Sequence, residues 1–227
     1  MTNELIWFFF ALINFVLIVL SYKFFGKIGL FAWIAMGTVL ANIQVVKMVE
    51  LFTLTATLGN IMFGTLFLAT DLLNEKYGIK EAKKAVYIGF FTLISTVIIM
   101  QIALQFEAIS DNLVIQDALK TIFDLIPRIA LGSIIAYLIS QLFDVHLFQK
   151  IKKHLSSPRF LFIRNIGSTA ISQLIDTLIF VPIAFMGLVP SSILWDIILT
   201  TYIIKLLVAA LDTPFIYLMV KIKPLNH

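Results

Sequence analysis

The sequence predicts an all-α fold, a polytopic membrane bundle of seven transmembrane helices. Three observations point there. Of 227 residues, 60% are hydrophobic and only 13% are charged, whereas soluble domains carry roughly a quarter charged residues. The apolar residues gather in seven runs, each long enough to cross a hydrocarbon core of roughly 30 Å as a helix of about 20 residues. The basic residues collect in alternate connections between those runs, a mark of membrane topology. A net charge of +4 is thereby explained without nucleic acid as a partner.

The runs lie at approximately 5–22, 29–48, 54–74, 82–105, 126–147, 166–187 and 194–221. They are continuous and lack the every-second-residue alternation of barrel strands, so they read as helices. Met1-Thr2-Asn3-Glu4 has neither the basic start nor the cleavage site of a signal peptide, so the first run is expected to stay as a helix. No soluble domain of useful size fits around the runs. Residues 1–227 are therefore expected to form one integral membrane domain.

Thirteen of the 17 basic residues sit in the connections after the first, third, fifth and seventh runs, at Lys23, Lys27, Lys76, Lys80, Lys83, Lys84, Lys150, Lys152, Lys153, Arg159, Arg164, Lys221 and Lys223. The other side has Lys47, Lys120 and Arg128, and Lys205 lies within the last run. Basic residues favour the cytoplasm, which puts the N-terminus outside and the C-terminus inside a cell (inner) membrane. The stretch 106–125 alternates Glu107, Asp111, Asp117 and Asp124 with Leu113, Ile115, Leu119, Ile122 and Leu125. It reads as a short amphipathic helix on the outer surface, ended by Pro127.

Polar groups at membrane depth are costly, so their positions carry the functional signal. The second run has Asn42 and Gln44, and the third has Asn60, Thr65, Thr70 and Asp71. The fourth has Gln101 and Gln105; the fifth has Arg128, Tyr137, Ser140, Gln141 and Asp144. On the sixth, Asn165, Ser168, Thr169, Ser172 and Asp176 follow the three- and four-residue spacing of one helix face, with Gln173 and Thr177 beside them. On the seventh, Thr201, Lys205, Val208 and Asp212 share a stripe above Pro214. Asp176 and Lys205 fall at similar depth on adjacent helices and are expected to pair. That pair is either structural or the border of a substrate cavity.

Asp71 and Glu75 stand one turn apart where the third run meets charge, and Gly78 lets the chain turn after them. Asp71 falls within the helix end, and Glu75 falls among the lysines. Gly132, Ala136 and Ser140 form a small-residue ridge that suits close packing, either inside the bundle or in a homodimer. Trp7, Trp33 and Trp195 are expected to anchor at the interfaces.

Cysteine is absent, which excludes thiol chemistry, and the three histidines, His146, His154 and His227, lack metal-ligand spacing. No nucleotide loop or hydrolase elbow occurs. Asp176 and Asp212 lack the flanking residues of an intramembrane aspartyl protease. Neither an enzyme, a metal nor a cofactor is expected.

Four segments together resemble a known family. They are Ala69-Thr-Asp-Leu72 with Tyr77-Gly78 and the basic run to Lys84, and Asp144-Val-His-Leu-Phe148 before Lys150-Ile-Lys-Lys153. Next come Ser172-Gln-Leu-Ile-Asp-Thr-Leu178, and Tyr202-Ile-Ile-Lys205 with Pro214. In this order, from about residue 30 to the C-terminus, they resemble the queuosine-precursor transporters, also called the vitamin uptake transporter family. The resemblance implies a six-helix core similar to energy-coupling-factor substrate-binding subunits, plus an N-terminal helix. It implies import of a 7-deazaguanine base (the cyano or aminomethyl precursor, or queuine) for tRNA modification.

Such a base offers adjacent N–H donors to a carboxylate, a carbonyl to an amide or lysine, and a flat ring for stacking. The expected site is Asp176 or Asp71 on the N–H edge, Asn42, Gln44, Asn60, Gln173 and Lys205 around it, and Tyr137 or Tyr202 stacked on the ring. The alternative is a binding subunit that docks an energising ATPase complex. Ala32, Ala35, Gly37 and Ala41 give it a small-residue stripe on the second run.

Overall fold

A computed structural model describes residues 2–51, 54–109, 112–123, 127–187 and 190–225. Asp111, Asp124, Leu125 and His227, and the side chain of Arg128, lie outside the described residues. Seven helices follow one another with a small hairpin between the first two: α1 (Asn3–Val45), β1 (Met48–Leu51), β2 (Leu54–Thr57), α2 (Gly59–Lys76), α3 (Ile79–Ala103), α4 (Leu113–Phe123), α5 (Pro127–His154), α6 (Leu161–Phe185) and α7 (Ser191–Lys221). Among the described residues, five helices are long and apolar enough to cross a membrane. The chain is an all-α, multi-pass membrane bundle.

The first helix is not straight. Gly26 has φ 59° and ψ −137°, a conformation that suits glycine and that other residues avoid. Across that point the Ser21 hydroxyl donates to the Gly29 carbonyl at 3.0 Å, although residues eight apart in a continuous helix stand about 12 Å apart along the axis. At the far end the Asn3 amide donates to the Glu50 carbonyl at 3.1 Å. The chain therefore doubles back at Gly26, giving two halves, α1a (3–25) and α1b (27–45). These correspond to the first two runs of the sequence.

The hairpin was not expected. The second and third runs were read as helices over 29–48 and 54–74, but residues 48–57 form two antiparallel strands with Met48 opposite Thr57. Val49, Thr55 and Thr57 are β-branched and favour extended backbone over helix. Hydropathy alone does not separate these residues from the helix that follows.

Fifteen of the 18 residues of α2 are buried, which makes it the axis of the bundle. It touches α1, α3, α5, α6 and α7. Gly64 lets α2 approach α7 at Val208, and Gly37 of α1b abuts Leu66 and Met62. The outward faces are apolar, as with Phe91, Ile98, Ile99 and Ile102 of α3, and suit hydrocarbon contact.

α5 and α6 both run further into basic sequence than the apolar runs suggested, to His154 and from Leu161. Lysines in the last turn of α5 complement the helix dipole. Arg164 is thus a helical residue and not part of a loop. The amphipathic stretch is a helix, α4, and it is pinned to α3: Gln101 donates to the Phe123 carbonyl at 2.7 Å and Gln116 to that of Leu104 at 3.2 Å.

Two of the three tryptophans face the bundle interior. Trp7 and Trp33 are buried, and Trp33 donates to the Thr65 hydroxyl at 3.0 Å. Only Trp195 is exposed. The Gly132–Ala136–Ser140 ridge packs internally on α6, where Gly132 faces Ile183 and Phe180.

A candidate substrate site in the polar core

Where α2, α5, α6 and α7 meet, the bundle interior is polar. Asp71, Asp144 and Asp212, from three different helices, are all fully buried. The Asp71 and Asp144 carboxyl groups are neighbours, and Asp212 lies close to them. Hydroxyl and amide groups of α6 hold them. Ser172 donates to Asp144 at 3.0 Å, Asn165 to Asp212 at 2.6 Å, and Thr169 to Asp71 at 3.5 Å. The polar stripe of α6 is therefore the wall that faces these carboxyl groups.

The second part of the core adjoins the first. Lys205 of α7 pairs with Asp176 of α6, as the sequence predicted. Asp176 also accepts from Ser140 at 3.0 Å, so the small-residue ridge of α5 gives the pair a neutral neighbour. Thr70 donates to Gln141 at 3.2 Å and links α2 to α5.

Several buried polar atoms here have no hydrogen-bond partner among the described residues. One oxygen of each of Asp71, Asp144 and Asp212 meets no hydroxyl, amide or ammonium donor, and Asn165 Oδ1, Gln173 Oε1 and Gln141 Nε2 are likewise unpartnered. Each buried, unsatisfied group costs about 1–3 kcal/mol relative to a hydrogen-bonded one. None of the four ion pairs among the described residues involves the three buried aspartates. The core thus holds both acceptors and donors that the bundle itself leaves unused.

One end of the core is closed by charge. Glu75 binds Arg164 at 2.9 Å and Lys152 at 3.1 Å. Arg164 also donates to the carbonyls of Leu155 at 2.7 Å and Ser157 at 3.2 Å, and its side chain is 0% exposed. Asn74 donates to the Val145 carbonyl at 2.7 Å. Glu75 was expected among the neighbouring lysines; its partners instead come from α5 and α6.

A model of the family described as "Putative vitamin uptake transporter" matches residues 57–219. A "Probable queuosine precursor transporter" of Bacillus subtilis (strain 168) is 51% identical over 224 residues, spanning 99% of this chain and 97% of the relative. The chain belongs to this putative vitamin uptake transporter family. A second relative, the "Probable queuosine precursor transporter" of Haemophilus influenzae, is 27% identical over 141 residues, 59% of this chain and 54% of its own. No solved structure matches. The chain is a transporter and not an enzyme.

The vitamin uptake transporter match begins at the end of the hairpin and takes in all four helices that supply the polar core. Of the expected site residues, Asp71, Gln173, Asp176 and Lys205 lie in or beside that core, and Asn60 is buried near the start of α2, about 16 Å along the helix from Asp71. Asn42 is elsewhere. It lines a cavity of about 360 Å³ with Thr96 and Gln101, between α1b, α3 and α5. Tyr137 is buried at a close approach to Gly89 and Thr38. Gln44 lies near the hairpin, and Tyr202 is half-buried on α7.

Gln141, Asp144, Asn165 and Asp212 lie in this polar core and are not among the expected site residues. Asn165 and Asp212 already stood on the recognised stripes of α6 and α7. Their shared location depends on how those helices pack, which spacing along one helix does not reveal.

Proposed function

We propose that this chain imports a queuosine precursor, a 7-deazaguanine base such as the cyano or aminomethyl form or queuine, for tRNA modification. The observation that carries this reading is the set of buried, unpartnered hydrogen-bond groups around Asp71, Asp144, Asp212, Gln141 and Asn165. A carboxylate there accepts the two adjacent N–H groups of the base, and an amide N–H meets its carbonyl. The names of both relatives support that substrate class.

In this reading the base sits between α2, α5, α6 and α7, with Asp176 and Lys205 at its border, Gln173 on the wall and Asn60 further along α2. Asn42, Gln44, Tyr137 and Tyr202 stand further out along the path. With α1a and α1b as separate passages, the chain crosses the membrane seven times. The lysine-rich end faces the cytoplasm and the hairpin faces outside. On the α1b stripe Gly37 and Ala41 pack against α2, which leaves Ala32 and Ala35 for any ATPase-docking surface.

Uptake of labelled aminomethyl-deazaguanine into cells that cannot make it tests the reading. The variants are Asp176→Asn, Gln173→Ala, Lys205→Ala, Asp71→Asn and Asp144→Asn. Loss of uptake with normal membrane levels is the expected result. Wild-type transport in the first three would remove the Asp176–Lys205 border from the site. Wild-type transport in all five would sink the proposal. Dependence on a pH gradient separates proton-coupled import from facilitated entry followed by trapping.

A further inference from the structure

A second cavity lies at the lysine-rich end, apart from the polar core and its transport role. It measures about 600 Å³ and is bounded by the Gly26 reversal, the end of α2 and the chain after α7. Leu225 donates its backbone N–H to the Lys23 carbonyl at 2.9 Å, which holds that last segment in place. Lys27, Lys76 and Lys223 line the cavity with Tyr22 and Tyr77, and no carboxylate is in the lining.

The lysines are only partly committed. Lys76 donates to the Ile222 carbonyl at 2.8 Å and lies 4.9 Å from the Tyr22 ring centre. Lys27 pairs with Glu81 at 3.1 Å, but that pair is solvated, with side chains 40% and 28% exposed, so it adds little. Lys223 enters no ion pair among the described residues. Phe25 and Ile28, also in the lining, are among the exposed large apolar side chains. The opening thus combines an ammonium- and phenol-lined interior with a bare apolar rim.

Helix capping explains one of these features. Lys76 satisfies carbonyls at the end of α7, a common use of lysine at a helix C-terminus. It does not explain Lys27, at the start of α1b, or Lys223, after the end of α7, nor the open space between them. We propose that the cavity binds the phosphate headgroup of an anionic phospholipid, with its acyl chains along Phe25 and Ile28. Basic pockets between membrane helices favour such headgroups, and the apolar rim favours a lipid over free phosphate.

The test is thermal unfolding of the purified full-length protein in a neutral detergent. Cardiolipin or phosphatidylglycerol, but not phosphatidylcholine, is expected to raise the midpoint, and inorganic phosphate at equal concentration is not. In the Lys27→Gln/Lys223→Gln double variant the two lost ammonium groups should weaken anionic-lipid binding by at least about tenfold. Should that variant not fold, Lys223→Gln alone serves, read by native mass spectrometry of bound lipid. An equal rise with phosphatidylcholine, or an undiminished response in the variants, overturns the proposal. An equal rise with inorganic phosphate assigns the site to free phosphate and overturns the lipid.

Discussion

Asn165 on α6 donates its side-chain amide to Asp212 on α7 at 2.6 Å, and both residues are fully buried. Asn165→Ala leaves a buried carboxyl oxygen without its donor, at a cost of about 1–3 kcal/mol. The detergent melting temperature should fall accordingly. Adding Asp212→Leu removes the stranded group and should recover part of the loss, whichever way transport responds. An unchanged melting temperature in Asn165→Ala would show that this contact does not tie α6 to α7.

Glu75 is the only carboxylate paired with Arg164 among the described residues, and the two lie 89 positions apart in the chain. Glu75→Ala leaves a buried guanidinium without its counterion, a change that costs about 3–5 kcal/mol for a fully buried pair. Two backbone carbonyls still hold Arg164, so the lower end of that range is expected. Lys152, with 26% of its side chain exposed, should matter far less, under about 1 kcal/mol for Lys152→Ala. Equal losses from Glu75→Ala and Lys152→Ala in thermal unfolding would mean the Arg164 contact has no special weight.

Much of this architecture was visible in the residues, and the limits have a physical origin. Each helix face is written in its own three- and four-residue spacing, so the stripes of α6 and α7 could be read directly. Membrane depth follows from counting along a helix, which is why Asp176 and Lys205 could be matched. The grouping of Asp71, Asp144 and Asp212 depends on the rotation of three helices about their axes, and no single stripe records that. Arg164 falls outside the expected sixth run because hydropathy ends an apolar run at its first charge. A paired arginine extends the helix instead. The strands at residues 48–57 were missed because hydropathy reports burial in lipid or protein without reporting backbone conformation.

The Asp176–Lys205 pair has a structural and a functional reading, which a charge-neutral double variant separates. Lys205→Met alone leaves Asp176 without its cation and should reduce both melting temperature and uptake. Asp176→Asn/Lys205→Gln keeps side chains of similar size that can hydrogen-bond to each other. Stability should return while uptake stays at least about tenfold down, a loss of roughly 1.4 kcal/mol of recognition. Recovery of uptake together with stability would make the pair purely structural.

The reversal at Gly26 sets how many times the chain crosses the membrane, and the absence of native cysteine makes it testable by labelling. Single cysteines at Thr2, Lys120 and Lys223 probe the start of α1a, the α4 segment and the chain after α7. With seven crossings, a membrane-impermeant maleimide should label the first two in intact cells and reach the third only after permeabilisation. Cysteines at Asn3 and Glu50 should join through a short bifunctional reagent, because those residues hydrogen-bond at 3.1 Å. Gly26→Val tests the cause. A β-branched residue at φ 59° should destabilise the turn by at least about 1–3 kcal/mol and lower the Asn3–Glu50 cross-linking yield. Labelling of Thr2 and Lys223 from the same side would mean an even number of crossings and remove the reversal from the membrane topology.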